Sequence, residues 1–326
     1  MISCKIVSNV LFWKVKAQTG PWFTLVSLRE VLLGQCCSCC MSMIYLRTYR
    51  AQVKCLPMIL YCLIDTLLFN SDQPSSVHQP VCESLSQIVD WCKKWLLKLK
   101  ATKCKCMRIT RSRSVTPCSY NINSIPLEQV KTHKHLGVII SSDLSWKPHV
   151  LSVAAKANKI LGLLKRTFGK CSEAITIGYK SMVRPIVEYA CPVWNPHQQY
   201  LSDKLERVQR NASRWILGSS IDYSERLKYL GWPTLNSRRE FLSLVQLFKF
   251  INGFSRVDLC NYLSFSNSRT RSTNNVKIWT PYARTNILKN SFWYKYIKIW
   301  NDLPSDIISS SSASKFKKKL KEHIFK

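Results

Sequence analysis

The sequence is short of acid. Asp and Glu together number 18 against 49 Lys and Arg, a formal net charge of +31 over 326 residues. An ordinary cytosolic enzyme needs no such excess. A chain this basic is drawn to polyanions, RNA or DNA above all. The bland alternative is a solvated basic surface with no specific partner. Cysteine is also scarce where it would matter for a disulfide scaffold. Of 15 cysteines, only Cys171, Cys191 and Cys260 lie beyond Cys118. So uneven a distribution in a chain of this length excludes a small, evenly stapled secreted domain. The opening MISCKIVSNVLFWKVKAQ lacks the order of basic, apolar and small-residue regions that marks a signal peptide. The apolar run LPMILYCLIDTLLF, Leu56 to Phe69, is too short to cross a bilayer comfortably and contains Asp65. No membrane segment is read, and an intracellular chain, nuclear or cytoplasmic, is expected.

Apolar residues make up 46% of the chain, enough for a packed core in one large or two modest domains. Residues up to about Asn70 show no clean hydrophobic period, and NSDQPSS reads as a loop. Leu85, Ile88, Val89, Trp95 and Leu96 predict a helix over Val81 to Leu99. CKCMRIT, Cys118 to Ile122 and HLGVII, His135 to Ile140, read as strands. Beyond them the pattern turns helical. Pro148 stands near a helix start, and Val150, Val153, Ala157, Ile160, Leu161, Leu164 and Phe168 form one apolar face ending at Gly169. A second helix is predicted over Glu173 to Val193. A third runs from Gln199 to Leu217, with Leu201, Leu205, Val208, Ala212, Trp215 and Ile216 inward and Lys204, Arg207, Arg210 and Arg214 on the other side. A fourth follows Asn236 and ends at Gly253. The tail holds SSSSAS, read as a linker, and the basic amphipathic helix KFKKKLKEHIF.

The blocks HKHLGVIISSDLSWKPHV, KANKILGLLKR, YKSMVRPIVEYACPVWNPH and LERVQRNASRWILG follow one another in order. They closely resemble the region after the catalytic palm in reverse transcriptases of non-LTR retrotransposons (LINE, Jockey-like). YLGWPTLNSRREFLSLVQLFKFING and SFWYKYIKIWNDLP extend the resemblance nearly to the end, and DWCKKWLLKLKATKCKCM resembles the end of the palm itself. The resemblance covers roughly Val81 to Lys326. It implies an α-rich α+β fold, the remnant of a palm followed by a helical thumb and a C-terminal extension. The domains implied are 1–76, out of frame or disordered; 77–145, a partial palm; 146–254, thumb-like; and 255–326, the extension with its basic tail. It also implies that Lys103 stands where the family has a late-palm lysine that meets the phosphates of the incoming nucleotide. The other reading of Lys103 is a surface lysine beside a strand. Lys100 stands where the family has Asn, a departure in the same place.

Template-directed synthesis needs two Mg²⁺ ions held by carboxylates against the attacking and leaving oxygens. The family takes these from an early-palm Asp and an Ala-Asp-Asp motif. This sequence contains no adjacent Asp pair, and the nearest substitute, Asp65, follows an isoleucine. Where the motif should stand the chain reads KCLPMILYC, Lys54 to Cys62. Codons for that peptide, read from the third base of the first, give Met-Phe-Ala-Asp-Asp-Thr-Val-Leu. Met58 before Ile59 forces the second of those aspartates. With the same offset, Thr24 to Leu46 yields Gly-Val-Pro-Gln-Gly and the apolar helix that follows it in the family. Cys36, Cys37, Cys39 and Cys40 are then the shadow of apolar codons read out of register. The rival is a zinc site, against which stands their crowding and the lack of a second pair at the usual spacing.

Three readings follow. One is a catalytically inactive, truncated remnant of an RNA-directed DNA polymerase with no catalytic residue, no metal site and no cofactor. Another is a non-enzymatic module that binds RNA or DNA through phosphates with low specificity, using Lys156, Lys159, Lys165, Arg166, Arg207, Arg210 and Arg214. For each of these residues the alternative is an ordinary solvated helix face. The third is an active polymerase completed by another chain. Trp194, Trp215, Trp232 and Trp300 are read as core residues rather than base-stacking ones. The frame argument makes an outcome measurable in the coding DNA. The codon for Gly34 should end in C, and those for Gln35 and Pro57 in G. A base gain or loss, or a splice junction, should lie between Cys62 and Val77. Other third bases with no such junction would return the cysteines to a metal reading.

Overall fold

The computed structural model describes residues 3–7, 10–14, 78–94, 96, 99–109, 119–169, 171–254, 264–265, 277–280 and 282–325. These residues are mostly helical with small sheets, and they fall into two compact units divided between Ser145 and Trp146. The Cys36–Cys40 cluster, the Asp65 run and the frame boundary lie outside the described residues.

In the first unit β1, Ser3–Val7, pairs antiparallel with β2, Val10–Lys14. Helix α1 spans His78–Lys94 and ends on Lys93 and Lys94, cations beside the negative end of its dipole. The predicted extension to Leu99 is not made. Leu96 has left-handed backbone (φ 55°) and is 91% exposed, so the helix stops short of it. A 3₁₀ turn, Ala101–Lys103, leads to β3, Lys105–Cys106, which runs parallel to β6, Glu128–Gln129; a Lys105–Glu128 ion pair ties the two. Between them β4, Asn121–Ile122, and β5, Ile125–Pro126, form a hairpin whose two turn residues, Asn123 and Ser124, both have positive φ. His135 to Ile140 is not one strand. It is a hairpin of β7, Thr132–His135, and β8, Val138–Ser141, reversed at Leu136 (φ 45°) and Gly137 (φ 85°). Paired positive φ values match the right-handed twist of flanking strands. Among the described residues every sheet has two strands.

The second unit begins with α2, Lys147–Phe168, which buries Val150, Ala154, Ala157, Leu161 and Leu164. Phe168, assigned inward by its spacing, is 41% exposed because the helix ends one residue later at Gly169. Helix α3, Ser172–Gly178, continues through a π turn, Tyr179–Val183, into α4, Arg184–Glu188. The predicted single helix to Val193 is broken at Ala190, left-handed at φ 52°, before α5, Cys191–Trp194. Helix α6 spans Gln199–Leu217, and α7 spans Tyr223–Leu230 behind an Asp222 cap. Helix α8, Leu235–Ile251, starts from a Thr234 cap on the Ser237 amide.

Helix α8 is the centre of the unit. It packs on α5 and α6 with one side and on α10, Phe292–Asn301, and α12, Ala313–Ile324, with another. Leu244, Leu247, Phe248 and Phe250 join Trp293, Tyr296, Trp300, Phe316 and Leu320 in one apolar cluster, with Phe248 and Phe316 stacked at 4.2 Å. Two short helices, α9 (Asn286–Lys289) and α11 (Ser305–Ile308), and the strand pair β9 (Ser264–Phe265) and β10 (Ile278–Trp279) complete it. The Asn301 carboxamide pairs with both backbone groups of Ile278, standing in for a further strand. The serines at 309–312 are not a linker. Ser310 is buried and donates to the Ile307 carbonyl, and Ser312 caps α12 on the Lys315 amide.

A polar junction crosses this apolar packing. Arg239 of α8 is fully buried (0% exposed). Its Nε donates to Asn195 Oδ1 at 2.9 Å and its Nη2 to Ser202 Oγ at 3.1 Å, both neutral partners. Asn195 Nδ2 donates in turn to the Tyr296 hydroxyl at 2.6 Å. Burial lowers the Arg239 pKa and raises that of the Cys191 thiol beside it. Arg239→Ala removes one end of this junction, opens a cavity beneath α8 and leaves the buried Asn195 Oδ1 without its donor. Urea denaturation should show a loss of about 2–5 kcal/mol, from the cavity and the lost hydrogen bonds. Arg207→Ala, on an exposed face, should stay within about 0.5 kcal/mol of the native chain.

Candidate nucleic-acid interface

Helix α6 forms because its apolar residues recur at helical spacing. Leu201, Leu205, Val208 and Ala212 are all fully buried, against α2 on one side and α8 on the other. Trp215 and Ile216, read as inward, are half-buried. At about 100° per residue the opposite face must carry Arg207, Arg210 and Arg214 within one narrow sector. All three are exposed; Lys204 and Asn211, exposed too, lie beside that sector on the flank toward Leu201. Arg210 is also held from within: its guanidinium lies 4.9 Å from the centre of the Tyr223 ring on α7.

The acids nearest this face are turned to structural use. Glu206 accepts the Tyr223 hydroxyl at 2.5 Å and the Leu235 amide at 3.0 Å, so it bridges α6 to α7 and to the start of α8. Burial, then the Glu206 hydrogen bond, pushes the Tyr223 phenol upward, so it remains a donor. Gln209, 1% exposed, accepts from Tyr179 at 2.7 Å and donates to the Pro233 carbonyl at 2.9 Å. Glu188 takes Arg238 through both carboxylate oxygens and Arg184 at 3.7 Å. Asp203 is the exposed acid on the α6 face, and it accepts from Gln199 at 2.9 Å one turn earlier.

Helix α2 carries the other four nominated cations. Lys156, Lys159, Lys165 and Arg166 are all exposed. Helical phase groups Lys156, Lys159 and Arg166 on one side, with Leu163, 43% exposed, among them. Lys165 falls on the opposite flank of the buried stripe, so it does not share their surface. Helix α12 adds Lys315, Lys317, Lys318 and Lys321, exposed around a buried Phe316 and Leu320; Lys319 pairs with Asp306 at 2.5 Å. In the first unit Lys103 closes the 3₁₀ turn through its amide to Lys100 at 3.0 Å, with its side chain exposed. Among the described residues no group of three or more His, Cys, Asp and Glu is placed to hold a metal ion. No helix among them is long and apolar enough to cross a membrane.

Three of the four tryptophans singled out in the sequence are packing residues. Trp194, Trp232 and Trp300 are 0%, 5% and 3% exposed, and Trp232 stacks on Tyr179 at 4.5 Å. The exposed aromatics include Tyr200 on α6 at 52% and Tyr229 on α7 at 76%, with Trp279 at 56% and Tyr282 at 87% further along the chain. Sequence reasoning passed over Tyr200, although the signal was there. It stands seven and fourteen residues before Arg207 and Arg214, two helical repeats on one face.

Three curated relatives match. Over 134 residues the chain is 27% identical to a probable RNA-directed DNA polymerase from transposon X-element of Drosophila melanogaster, covering 40% of this chain and 14% of that protein. It is 24% identical over 156 residues to a probable RNA-directed DNA polymerase from transposon BS of the same fly, covering 46% and 17%. Over 210 residues it is 24% identical to a retrovirus-related Pol polyprotein from type-1 retrotransposable element R1 of Bradysia coprophila, covering 59% and 20%. The chain therefore spans a fifth or less of the length of these relatives. No family model and no solved structure matches it.

Proposed function

We propose, from its similarity to the RNA-directed DNA polymerases of non-LTR retrotransposons, that this chain is a reverse-transcriptase-derived nucleic-acid-binding protein without polymerase activity of its own. The first unit is read as the end of a palm. The second is read as a thumb-like helical module joined to a C-terminal extension. The observation that carries the reading is the α6 face, where Arg207, Arg210 and Arg214 are exposed in one sector while the neighbouring Glu206 is drawn into the fold. Such a face meets phosphates at regular spacing and reads no base edge, so binding should be largely indifferent to sequence. Lys156, Lys159 and Arg166 supply a second basic stripe on α2, and the α12 lysines a third. Lys165 is the weakest of the nominated cations because it sits on a different flank. Lys103 is read as a vestige of a nucleotide-phosphate contact.

The lack of activity rests on the sequence. Two-metal phosphoryl transfer needs convergent carboxylates, and the chain has no adjacent Asp pair at any position. Purified chain given primer, RNA or DNA template, and Mg²⁺ or Mn²⁺ should extend nothing. Template-dependent extension that disappears in Asp65→Ala would sink this half of the reading.

The binding half is tested by salt. The full chain should bind nucleic acid at low ionic strength, with log affinity falling linearly against log salt as counterions are released. Changing Arg207, Arg210 and Arg214 together to Ala should flatten that slope by about two to three units, roughly one per lost phosphate contact. An unchanged slope would remove α6 from the interface.

A further inference from the structure

We propose that the solvent face of α6 is built for a single strand of nucleic acid, with Tyr200 as a stacking platform for an unpaired base at its N-terminal end. The proposal rests on the nucleic-acid reading of that helix and adds the kind of strand it takes.

Tyr200, Lys204, Arg207, Asn211 and Arg214 recur at intervals of four, three, four and three residues. That alternation keeps all five side chains within one sector of roughly 80° on the helix surface, along the flank of the buried stripe on the Leu201 side. All five are exposed, Tyr200 to 52%, on a helix that buries Leu201, Leu205, Val208 and Ala212. The line from Tyr200 to Arg214 is about 21 Å long at the helical rise. At a stacked spacing of about 3.4 Å it accompanies roughly six nucleotides of one strand. It thus holds one aromatic face, three cations and one amide in a row. Asp203 lies at the tyrosine end, engaged by Gln199, and would repel the backbone there. That repulsion favours a base over a phosphate at Tyr200.

Charge alone argues for the opposite partner. Duplex carries the denser line of phosphates, so a face made only of cations binds duplex at least as tightly as a single strand. A duplex hides its base faces in the stack, leaving nothing for a tyrosine along its length. A single strand exposes them, and stacking on an aromatic ring is tolerant of sequence. A single-strand preference that Tyr200→Ala removes is therefore a signature that the phosphate contacts do not produce.

The test uses the full chain and fluorescein-labelled oligomers of about twelve nucleotides, within the usual span of single-strand sites. Mixed-sequence single-stranded RNA, single-stranded DNA and the DNA duplex are compared by anisotropy at low salt. The native chain should bind one or both single strands more tightly than the duplex. Tyr200→Ala should weaken single-strand binding by about fivefold or more while leaving duplex binding within about twofold, and Tyr200→Phe should restore it. Duplex bound as tightly as either single strand would overturn the inference and leave the phosphate-binding reading standing. So would a Tyr200→Ala variant whose single-strand affinity is unchanged. Absence of binding to all three at low salt would overturn both.

Discussion

The helical unit depends on one buried cation. Arg239 projects from the middle helix into a space that its neighbours fill completely, and it is held there by an amide and a hydroxyl rather than by a carboxylate. The amide belongs to Asn195, which in turn holds Tyr296 from the C-terminal segment. Three stretches far apart in the chain are registered against one another through these bonds. Apolar packing is forgiving of small slides and rotations; a buried guanidinium whose Nε and Nη2 each meet a fixed oxygen is not. The junction therefore sets which side of α8 meets α5 and α6 and which meets α10 and α12. Everything outward of it, including the exposed face of α6, inherits its orientation from that choice.

Scarcity of acid acts twice. The few carboxylates in the helical unit include two that join elements. Glu188 clamps Arg238 and Arg184, and Glu206 bridges α6 to α7 and α8. Drawing them inward stabilises the fold and strips negative charge from the outer helix faces. The basic character of the surface is thus sharper than the overall charge suggests. Arg238 and Arg239 are adjacent in sequence and a hundred degrees apart on the helix. One completes an ion pair at the edge of the packing while the other enters it.

The sequence reading succeeded where one physical signal dominated. Helix α6 was legible to the residue because its apolar positions recur without interruption and its polar face is almost wholly charged. Helix α2 was legible for the same reason, up to its final turn. Failures came where backbone geometry overrides periodicity. Nothing in YKSMV announces a π turn, and Ala190 is not a residue that normally takes left-handed backbone. HLGVII looked like a strand because all its apolar residues favour one, yet Leu136 and Gly137 turn it back. The serines near 310 read as a linker by composition, although the hydroxyls of Ser309, Ser310 and Ser312 each have a backbone partner. The candidate cations were legible as a helix face. Helical phase alone separates Lys165 from them and adds Tyr200, which needed no coordinates to find.

The π turn between α3 and α4 has a consequence for how this helix can change length. Ile175, Tyr179, Val183 and Val187 are all fully buried, spaced four residues apart over three turns. A regular α-helix would carry the last of them about 120° away from the first. The wider π turn takes up one extra residue and returns Val187 to the buried side. Eleven residues instead of twelve would bring the same two positions into line in unbroken α-helix. A one-residue deletion within Lys180–Met182 therefore has a regular helical solution that keeps the core. The same deletion in the middle of α6 would turn Leu201 and Leu205 about 100° away from Val208 and Ala212 and break its buried stripe. Tolerance to insertion and deletion, usually a property of loops, is here built into the middle of a helix.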